Sequence, residues 1–192
     1  SGTEKAPDYW ASGISVVAHM KSPHVPAFHF NTRYIVTGKR WFGGGADMTP
    51  AIPNKEDVDI FHKSIESVCN KHDKNYYRDF KKQCDEYFYL PHRDEPRGEG
   101  GIFFDHLNNK NFKSDFNFIH DFGDDILKTI SLIIENRMNK KWTDSEKDIQ
   151  LYKRGRYVEF NLLWDRGTLF GLKTGGSTEA ILMSMPPTAK WE

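Results

Sequence analysis

Hydrophobic and polar side chains alternate along a ten-residue segment near the end of this chain, residues 157–166. Successive side chains of a β-strand point to opposite faces, so the alternation predicts a strand over 157–165 with unlike faces. One parity holds Val158, Phe160, Leu162 and Trp164, and the other holds Tyr157, Glu159, Asn161 and Asp165. A strand that only packs a core does not need two carboxylates and an amide in one row. We interpret the polar row as part of a binding site.

A second segment, residues 27–37, alternates in the same way and is also predicted as a strand. Its polar face, together with that of the strand predicted at 14–20, carries Ser15, His19, His29, Asn31 and Arg33. Two interpretations remain open: the rows line one cavity, or each row faces water as in many antiparallel sheets. The residue types favour a site, because solvent-facing strand positions more often carry Lys, Thr and Glu.

The middle of the chain changes to helical spacing. Four helices are predicted, at 55–71, 75–89, 114–140 with a break at Gly123, and from the capping box at 143–146 to about Gly155. Further strands are predicted at 101–106, 168–174 and 178–185, the last two joined as a hairpin by Gly175, Gly176 and Ser177. Helices grouped between early and late strands predict an α+β fold, a large, mainly antiparallel sheet with helices on both faces.

Composition narrows the function classes. Lys plus Arg and Asp plus Glu number 27 each, so the formal net charge is zero, which argues against a nucleic-acid partner. No apolar run approaches the roughly 18 residues of a membrane span, and no secretory signal is visible. Cys69 and Cys84 lie outside any CxxC spacing, which predicts a reduced, cytoplasmic protein.

Six arginines lie at predicted strand ends or in loops bounded by glycine: Arg33, Arg93, Arg97, Arg154, Arg156 and Arg166. A guanidinium group binds a carboxylate through two parallel hydrogen bonds, so such a cluster would suit an anionic small molecule. Ordinary surface pairing is the competing interpretation for any one arginine. The chain has no HExxH, P-loop or GxGxxG motif, so its motifs support neither a nicotinamide nor a flavin domain.

Two longer motifs carry a family resemblance. The first is the run Trp41–Pro50, WFGGGADMTP, and the second combines Cys84–Leu90, His92-Arg93 and Arg97–Asp105. With these motifs the chain resembles the oxygen-dependent coproporphyrinogen III oxidase family over nearly its whole length. The resemblance implies that residues 1–192 form one domain, to which family members add an N-terminal helical region and a C-terminal tail.

The resemblance also implies an activity. Two propionate side chains of coproporphyrinogen III would be oxidatively decarboxylated to vinyl groups, giving protoporphyrinogen IX, CO2 and H2O2 in haem biosynthesis. Molecular oxygen is the co-substrate, no organic cofactor is used, and a divalent metal requirement is disputed for the family. A homodimer is implied, with residues 157–192 contributing to the interface. Two alternatives are a non-catalytic tetrapyrrole-binding module and a metal-dependent enzyme that uses four histidines.

Site residues follow from the same resemblance, position by position. The catalytic positions are His29, a proton donor, and the pair Asp165 and Arg166. The substrate-binding positions are Ser15, Asn31, Thr32, Arg33, Gly175, Gly176 and Ser177. The metal-ligand positions are His19, His29, His62 and His92. One departure concerns Ser177, because bacterial relatives commonly have arginine there, and a hydroxyl cannot pair with a carboxylate as a guanidinium does.

Overall fold

The structure is a computed structural model that describes residues 10–109 and 111–192. Its strands are β1 (Trp10–Ala18), β2 (Ala27–Val36), β3 (Arg40–Thr49), β4 (Tyr89–Leu90), β5 (Glu95–Pro96) and β6 (Gly100–Leu107). Its helices are α1 (Lys55–His72), α2 (Tyr76–Tyr87), α3 (Phe112–Arg137), α4 (Asp144–Leu163), α5 (Arg166–Lys173) and α6 (Thr178–Ile181), with a 3₁₀ turn at Leu182–Ser184.

The central sheet has four strands in the order β1-β2-β3-β6, and every neighbouring pair is antiparallel. A separate two-stranded ribbon pairs β4 with β5. Consecutive antiparallel strands need only short connections, and helices α1 and α2 are inserted between β3 and β6. The predicted α+β class with a mainly antiparallel sheet is confirmed.

One face of the sheet packs against α1 and α3 through a core rich in phenylalanine. Phe28 of β2, Phe42 of β3 and Phe104 of β6 are buried on this face. They pack with side chains that keep helical spacing on the two helices: Phe61, Ile65 and Val68 of α1, and Phe118, Phe122, Ile126 and Ile133 of α3. We call this face the helix face, and the larger of the two buried apolar clusters lies there.

A second, smaller core lies on the opposite face. Phe103 of β6 points away from Phe104 and packs with Phe88, Leu90 and Phe160 of α4. Helices therefore contact both faces of the sheet. We call this second side the site face.

The strand predicted at 157–165 is wrong, because these residues continue α4 to Leu163. Tyr157, Phe160, Asn161 and Trp164 stand at positions i, i+3, i+4 and i+7, a spacing that fits one helix face as well as alternation fits a strand. Nor does the helix end at Gly155. A side-chain Cβ at Gly155 would lie 2.5 Å from the carbonyl oxygen of Lys190, so glycine is needed there for the C-terminal segment to pack across the helix.

The two strands predicted after it are also wrong. Residues 168–174 lie mostly in α5, and 178–184 form α6 and the 3₁₀ turn, so the hairpin at Gly175, Gly176 and Ser177 does not exist. Two polar side chains start these helices. Asp165 caps α5 by accepting a hydrogen bond from the backbone N–H of Thr168, and Ser177 caps α6. Gly175, with φ of 73°, lies just beyond α5, where only glycine is unstrained.

Other predictions fare better, with two exceptions. The strands near 14–20, 27–37 and 101–106 and the helices α1, α2 and α3 are found, and Thr143 and Glu146 form the predicted capping box. Strand β3 was not predicted, and Gly123 does not break α3.

Cys69 and Cys84 are free and buried. No helix in the described residues is long and apolar enough to cross a membrane.

Candidate active site on the site face

The strand register brings the polar rows of the sequence together on the site face. Ser15 of β1 lies opposite Asn31 of β2, and His29 lies opposite Asp47 of β3. Arg33 follows on the same parity of β2, because side chains two residues apart share a face. The two rows therefore share one face of the sheet, where Ser15 is exposed and His29, Asn31 and Arg33 are half-buried, so both interpretations of the sequence stay open.

A continuous chain of hydrogen bonds runs along β2. His29 Nδ1 lies 2.8 Å from Asp47 Oδ1, and Asn31 Nδ2 lies 3.2 Å from His29 Nε2. Arg33 Nη1 donates to Asn31 Oδ1 at 2.9 Å. A carboxylate only accepts, so Nδ1 of His29 carries the proton, and Nε2 accepts from the Asn31 amide. One assignment of donors and acceptors therefore satisfies the whole row.

The inner end of this row is a buried ion pair. Arg97 donates to Asp47, and both side chains are almost wholly buried. The Arg97 guanidinium also lies over three aromatic rings, 3.9 Å from the centroid of Phe88, 4.5 Å from Tyr157 and 4.8 Å from Phe160. Burial raises the pKa of Asp47, but the positive charge of Arg97 and the hydrogen bond from His29 outweigh burial and hold that pKa below its usual value.

The outer end of the row reaches a second carboxylate. Arg33 Nη2 lies 3.3 Å from Asp105 Oδ2, and Trp41 Nε1 donates to Asp105 Oδ1 at 3.2 Å. Gly43 lies between these groups. A Cβ at Gly43 would come within 2.7 Å of Arg33 Nε and 2.8 Å of Asp105 Oδ1, so the pair can form only over a glycine.

The floor of the site face carries several positions without side chains. By parity, these positions of β1, β3 and β6 share the face with His29 and Arg33: Gly13, Gly43, Gly45 and Gly101. Gly43, Gly45 and Gly101 are buried and Gly13 is exposed, so the open part of this floor lies towards β1. The groups beside the floor are the Asn31 amide, the Arg33 guanidinium and the Asp105 carboxylate. A flat, exposed strip with a guanidinium at its edge can bind a flat ligand with an acidic substituent.

Asp165 and Arg166 join this surface through Tyr87, at the end of α2. The Tyr87 hydroxyl donates to Asp165 Oδ1 at 2.8 Å and accepts from the backbone N–H of Arg166 at 3.2 Å. The Tyr87 ring stacks on Phe103 of the site face, with centroids 4.6 Å apart and planes 4° apart. The Arg166 guanidinium lies 4.7 Å from the Tyr87 centroid. Burial and the Asp165 carboxylate raise the pKa of Tyr87 to about 12, so its hydroxyl stays a donor.

Glu159 of α4 is the centre of a second polar cluster. Arg93 binds both of its oxygens, at 2.9 and 2.6 Å, and His92 Nε2 lies 2.8 Å away. Arg156 and Trp191 donate to the same carboxylate at 3.2 and 2.9 Å. The Arg93 hydrogen bonds are the largest cause that lowers the pKa of Glu159 to about 2. This cluster fixes the β4–β5 ribbon and the C-terminal segment to α4.

The structure does not bring all the predicted substrate-binding residues together. Thr32 has the opposite parity to Asn31 and Arg33, so it lies on the helix face. Residues 175–177 form the exposed turn between α5 and α6, and their described hydrogen bonds stay within that turn and the two helices it joins. Ser15, Asn31 and Arg33 are adjacent on the site face.

The four histidines predicted as metal ligands are held apart. Their ring nitrogens have these partners: Ser184 O for His19 at 2.9 Å, Asp47 and Asn31 for His29, Tyr77 Oη and Glu99 O for His62, both at 3.0 Å, and Glu159 and Trp164 for His92. Within residues 10–109 and 111–192, no three His, Cys, Asp or Glu side chains are grouped to hold a metal ion. The residues therefore do not fit the four-histidine site.

Three further residues shape the site, although the sequence assigned them no role there: Tyr87, Asp47 and Asp105. Two of them had a visible signal. Asp47 stands in the Trp41–Pro50 motif, and Asp105 ends the second motif, on the parity of Phe103. Tyr87 reaches the site by contacts between segments far apart in the chain.

Comparisons with known proteins agree with the geometry. The family model described as Coproporphyrinogen III oxidase matches residues 2–192. The oxygen-dependent coproporphyrinogen-III oxidases of Rickettsia bellii (strain OSU 85-389) and Rickettsia rickettsii (strain Sheila Smith) are each 57% identical over 190 residues, which cover 99% of this chain and 68% of each relative. The protein of the same name from Rickettsia akari (strain Hartford) is 55% identical over the same shares.

Proposed function

Because the chain belongs to the coproporphyrinogen III oxidase family, we propose that it converts two propionates of coproporphyrinogen III to vinyl groups and so makes protoporphyrinogen IX. In each step a propionate loses CO2 and a β-hydrogen, and the two electrons released reduce one O2 to H2O2 with two protons. The observation that carries the proposal is the 57% identity over 99% of the chain to relatives with this activity in their names. A flat, polar site face that suits such a substrate supports it.

Two arginines would hold the substrate's propionates. The tetrapyrrole would lie on the exposed part of the glycine floor, at Gly13, beside the Phe103–Tyr87 stack. Arg33 lies on one side of the Phe103–Tyr87 stack, 5.8 Å from the Phe103 centroid, and Arg166 lies over Tyr87. Guanidinium groups at the edge of an apolar surface bind carboxylates and leave the ring free to stack. Ser15 and Asn31 would add hydrogen bonds from the same face.

Proton movement is assigned to Asp165 and His29. The Asp165 carboxylate has oxygens that can still accept from pyrrole N–H groups after binding Tyr87 and Thr168, and it would help to remove a proton. Reduced pyrroles are electron-rich enough to react with O2 directly, so no organic cofactor is proposed. His29 would carry protons at Nε2, the nitrogen that Asp47 does not bind, and the Asn31 amide would turn away whenever Nε2 holds a proton. We derive no step through a metal ion, because the four histidines are held by separate partners.

A homodimer is part of the proposal. Residues 157–192 expose an unusual number of large apolar side chains: Leu162, Leu163, Trp164, Phe170, Leu172, Met183 and Trp191. Exposed apolar groups of this size mark interaction surfaces in soluble proteins. We also propose a cytoplasmic setting, in line with the free, buried Cys69 and Cys84. Sedimentation of the purified chain at several concentrations tests the dimer, and a monomer throughout would contradict it.

Aerobic turnover of coproporphyrinogen III, with and without a chelator, tests the activity. Protoporphyrinogen formed in both samples is expected. Binding without product would instead favour a non-catalytic tetrapyrrole-binding module, and turnover lost only with chelator would favour a metal-dependent enzyme. Asp165→Asn keeps the helix cap but removes the charge, and it should lower kcat by about 100-fold or more. Asp124→Asn on the exposed face of α3 is the matched control.

A further inference from the structure

Tyr87 connects the two parts of the site that come from different regions of the chain. His29, Asn31 and Arg33 belong to the sheet, whereas Asp165 and Arg166 belong to the start of α5. We infer that Tyr87 is the positioning residue that fixes the Asp165 carboxylate and the Arg166 guanidinium relative to the sheet. The inference rests on the roles proposed above for Asp165 and Arg166.

The hydroxyl of Tyr87 orients the Asp165 carboxylate. It donates to Oδ1 at 2.8 Å, while the backbone N–H of Thr168 donates to Oδ2 at 2.7 Å. With one donor on each oxygen, the carboxylate cannot rotate without losing a hydrogen bond to a charged group. The remaining lone pairs are therefore held in one direction. The helix cap alone would fix only one oxygen.

The ring of Tyr87 has a separate task. One of its faces is parallel to Phe103 on the site face, and Arg166 lies over the ring. Phe88 and Phe160 contact its edges, with centroids 4.9 and 5.7 Å away. A ring held on several sides has few rotamers open to it, so it forms a rigid platform for the guanidinium. The hydroxyl thus acts on the carboxylate, and the ring acts on the arginine.

These separate tasks predict different kinetic effects for two variants. Tyr87→Phe keeps the ring and removes the hydroxyl, so kcat should fall about tenfold while KM stays within about twofold. Tyr87→Leu removes both, so KM should rise as well, because Arg166 loses its platform. Tyr89→Phe is the matched control: its hydroxyl also donates to an aspartate, Asp94, but in the exposed β4–β5 ribbon. It should leave kcat and KM unchanged.

A double-variant experiment asks whether Tyr87 acts through Asp165. If it does, adding Tyr87→Phe to Asp165→Asn should change kcat by less than about twofold, since the group to be positioned is already lost. A full tenfold effect in that background would overturn the inference, because Tyr87 would then act independently of Asp165. So would wild-type kcat in Tyr87→Phe when Asp165→Asn is strongly impaired, and this result would leave the proposed function intact.

Failure of the proposed function is recognised by other results. A wild-type chain that makes no protoporphyrinogen, or an Asp165→Asn variant at wild-type rate, contradicts the proposed roles rather than the contacts of Tyr87. Anaerobic binding of coproporphyrinogen III then tests the ring alone. Tyr87→Leu should weaken binding several-fold through Arg166, whereas Tyr87→Phe should not. Equal binding by both variants and the wild type would overturn the ring's part of the inference.

Discussion

His29 and Asp47 face each other across two neighbouring strands, with Nδ1 of the imidazole 2.8 Å from Oδ1 of the carboxylate. Asp47 also neutralises Arg97, which is buried among aromatic rings. The same carboxylate therefore stabilises the fold and sets the tautomer of a proposed catalytic group. A change at Asp47 should affect stability and turnover together.

Asp47→Asn should lower both quantities. The amide leaves the Arg97 charge buried without a counter-charge, which costs on the order of 3 kcal/mol or more in the free energy of unfolding. It also leaves one oxygen for two donors, His29 Nδ1 and Arg97, so the tautomer of His29 is no longer fixed and kcat should fall even under conditions where the variant is fully folded. Denaturant unfolding and steady-state kinetics measure the two effects. Asp59→Asn, at an exposed pair with Lys55, should change neither. A stable variant at position 47 would contradict this account of the ion pair.

Stability should fall in acid partly through Glu159. Its pKa in the folded chain is about 2, below the ordinary value of 4.5. A carboxylate with a lowered folded pKa stabilises the fold fully above its unfolded pKa, and the contribution is lost as pH falls from about 4.5 towards 2. Glu159→Gln should therefore be less stable than the wild type at pH 6, and the difference should shrink towards pH 3. Urea unfolding across this range measures it. An unchanged pH slope in Glu159→Gln would contradict the prediction, and Glu86→Gln on the exposed side of α2 is the control.

Gly43→Ala should harm substrate binding more than stability. The new methyl group would displace Arg33 and Asp105, whose side chains can move, so the fold should survive. Arg33 would then no longer stand in position for a propionate, and KM should rise about tenfold or more. Gly38→Ala is the control, since an added Cβ there meets nothing within 4 Å. Equal KM values for the two variants would show that Arg33 does not bind the substrate.

The parts of the fold with strong local signals were predictable. The polar row of β2 is a period-two pattern of strand-typical residues, and Asn54 and Thr143 are helix caps that act on their own backbone neighbours. In these segments the local preference and the tertiary environment agree, so the sequence is read correctly without knowledge of the rest of the chain.

The segment 157–165 could not be assigned from its pattern. The first strong turn signal after Thr143 is Gly155, and ten alternating residues follow it. Tertiary contacts stabilise the helix in this segment. The rings of Tyr157 and Phe160 pack against the Arg97 guanidinium, and Glu159 binds Arg93. The glycine that resembled a helix end serves the approach of Lys190 instead.

Strand β3 was hidden for a related reason. Gly43, Gly44 and Gly45 have low strand propensity, yet they lie in the inner strand β3. Glycine is needed at these positions because neighbouring backbones and side chains leave no room for a Cβ. The pairing of Asp47 with Arg97, 50 residues away, depends on this strand and its register. No local pattern carries that information.

The hydrogen-bonded row along β2 permits only one orientation of the Asn31 amide. If the Asn31 amide were reversed, its oxygen would face the lone pair of His29, and its nitrogen would face the donors of Arg33. At the outer end of the row, Arg33 offers N–H groups, and the Asp105 carboxylate beside it is an acceptor. The buried Asp47 carboxylate sets the tautomer of His29, and His29 in turn fixes which side of the Asn31 amide faces Arg33.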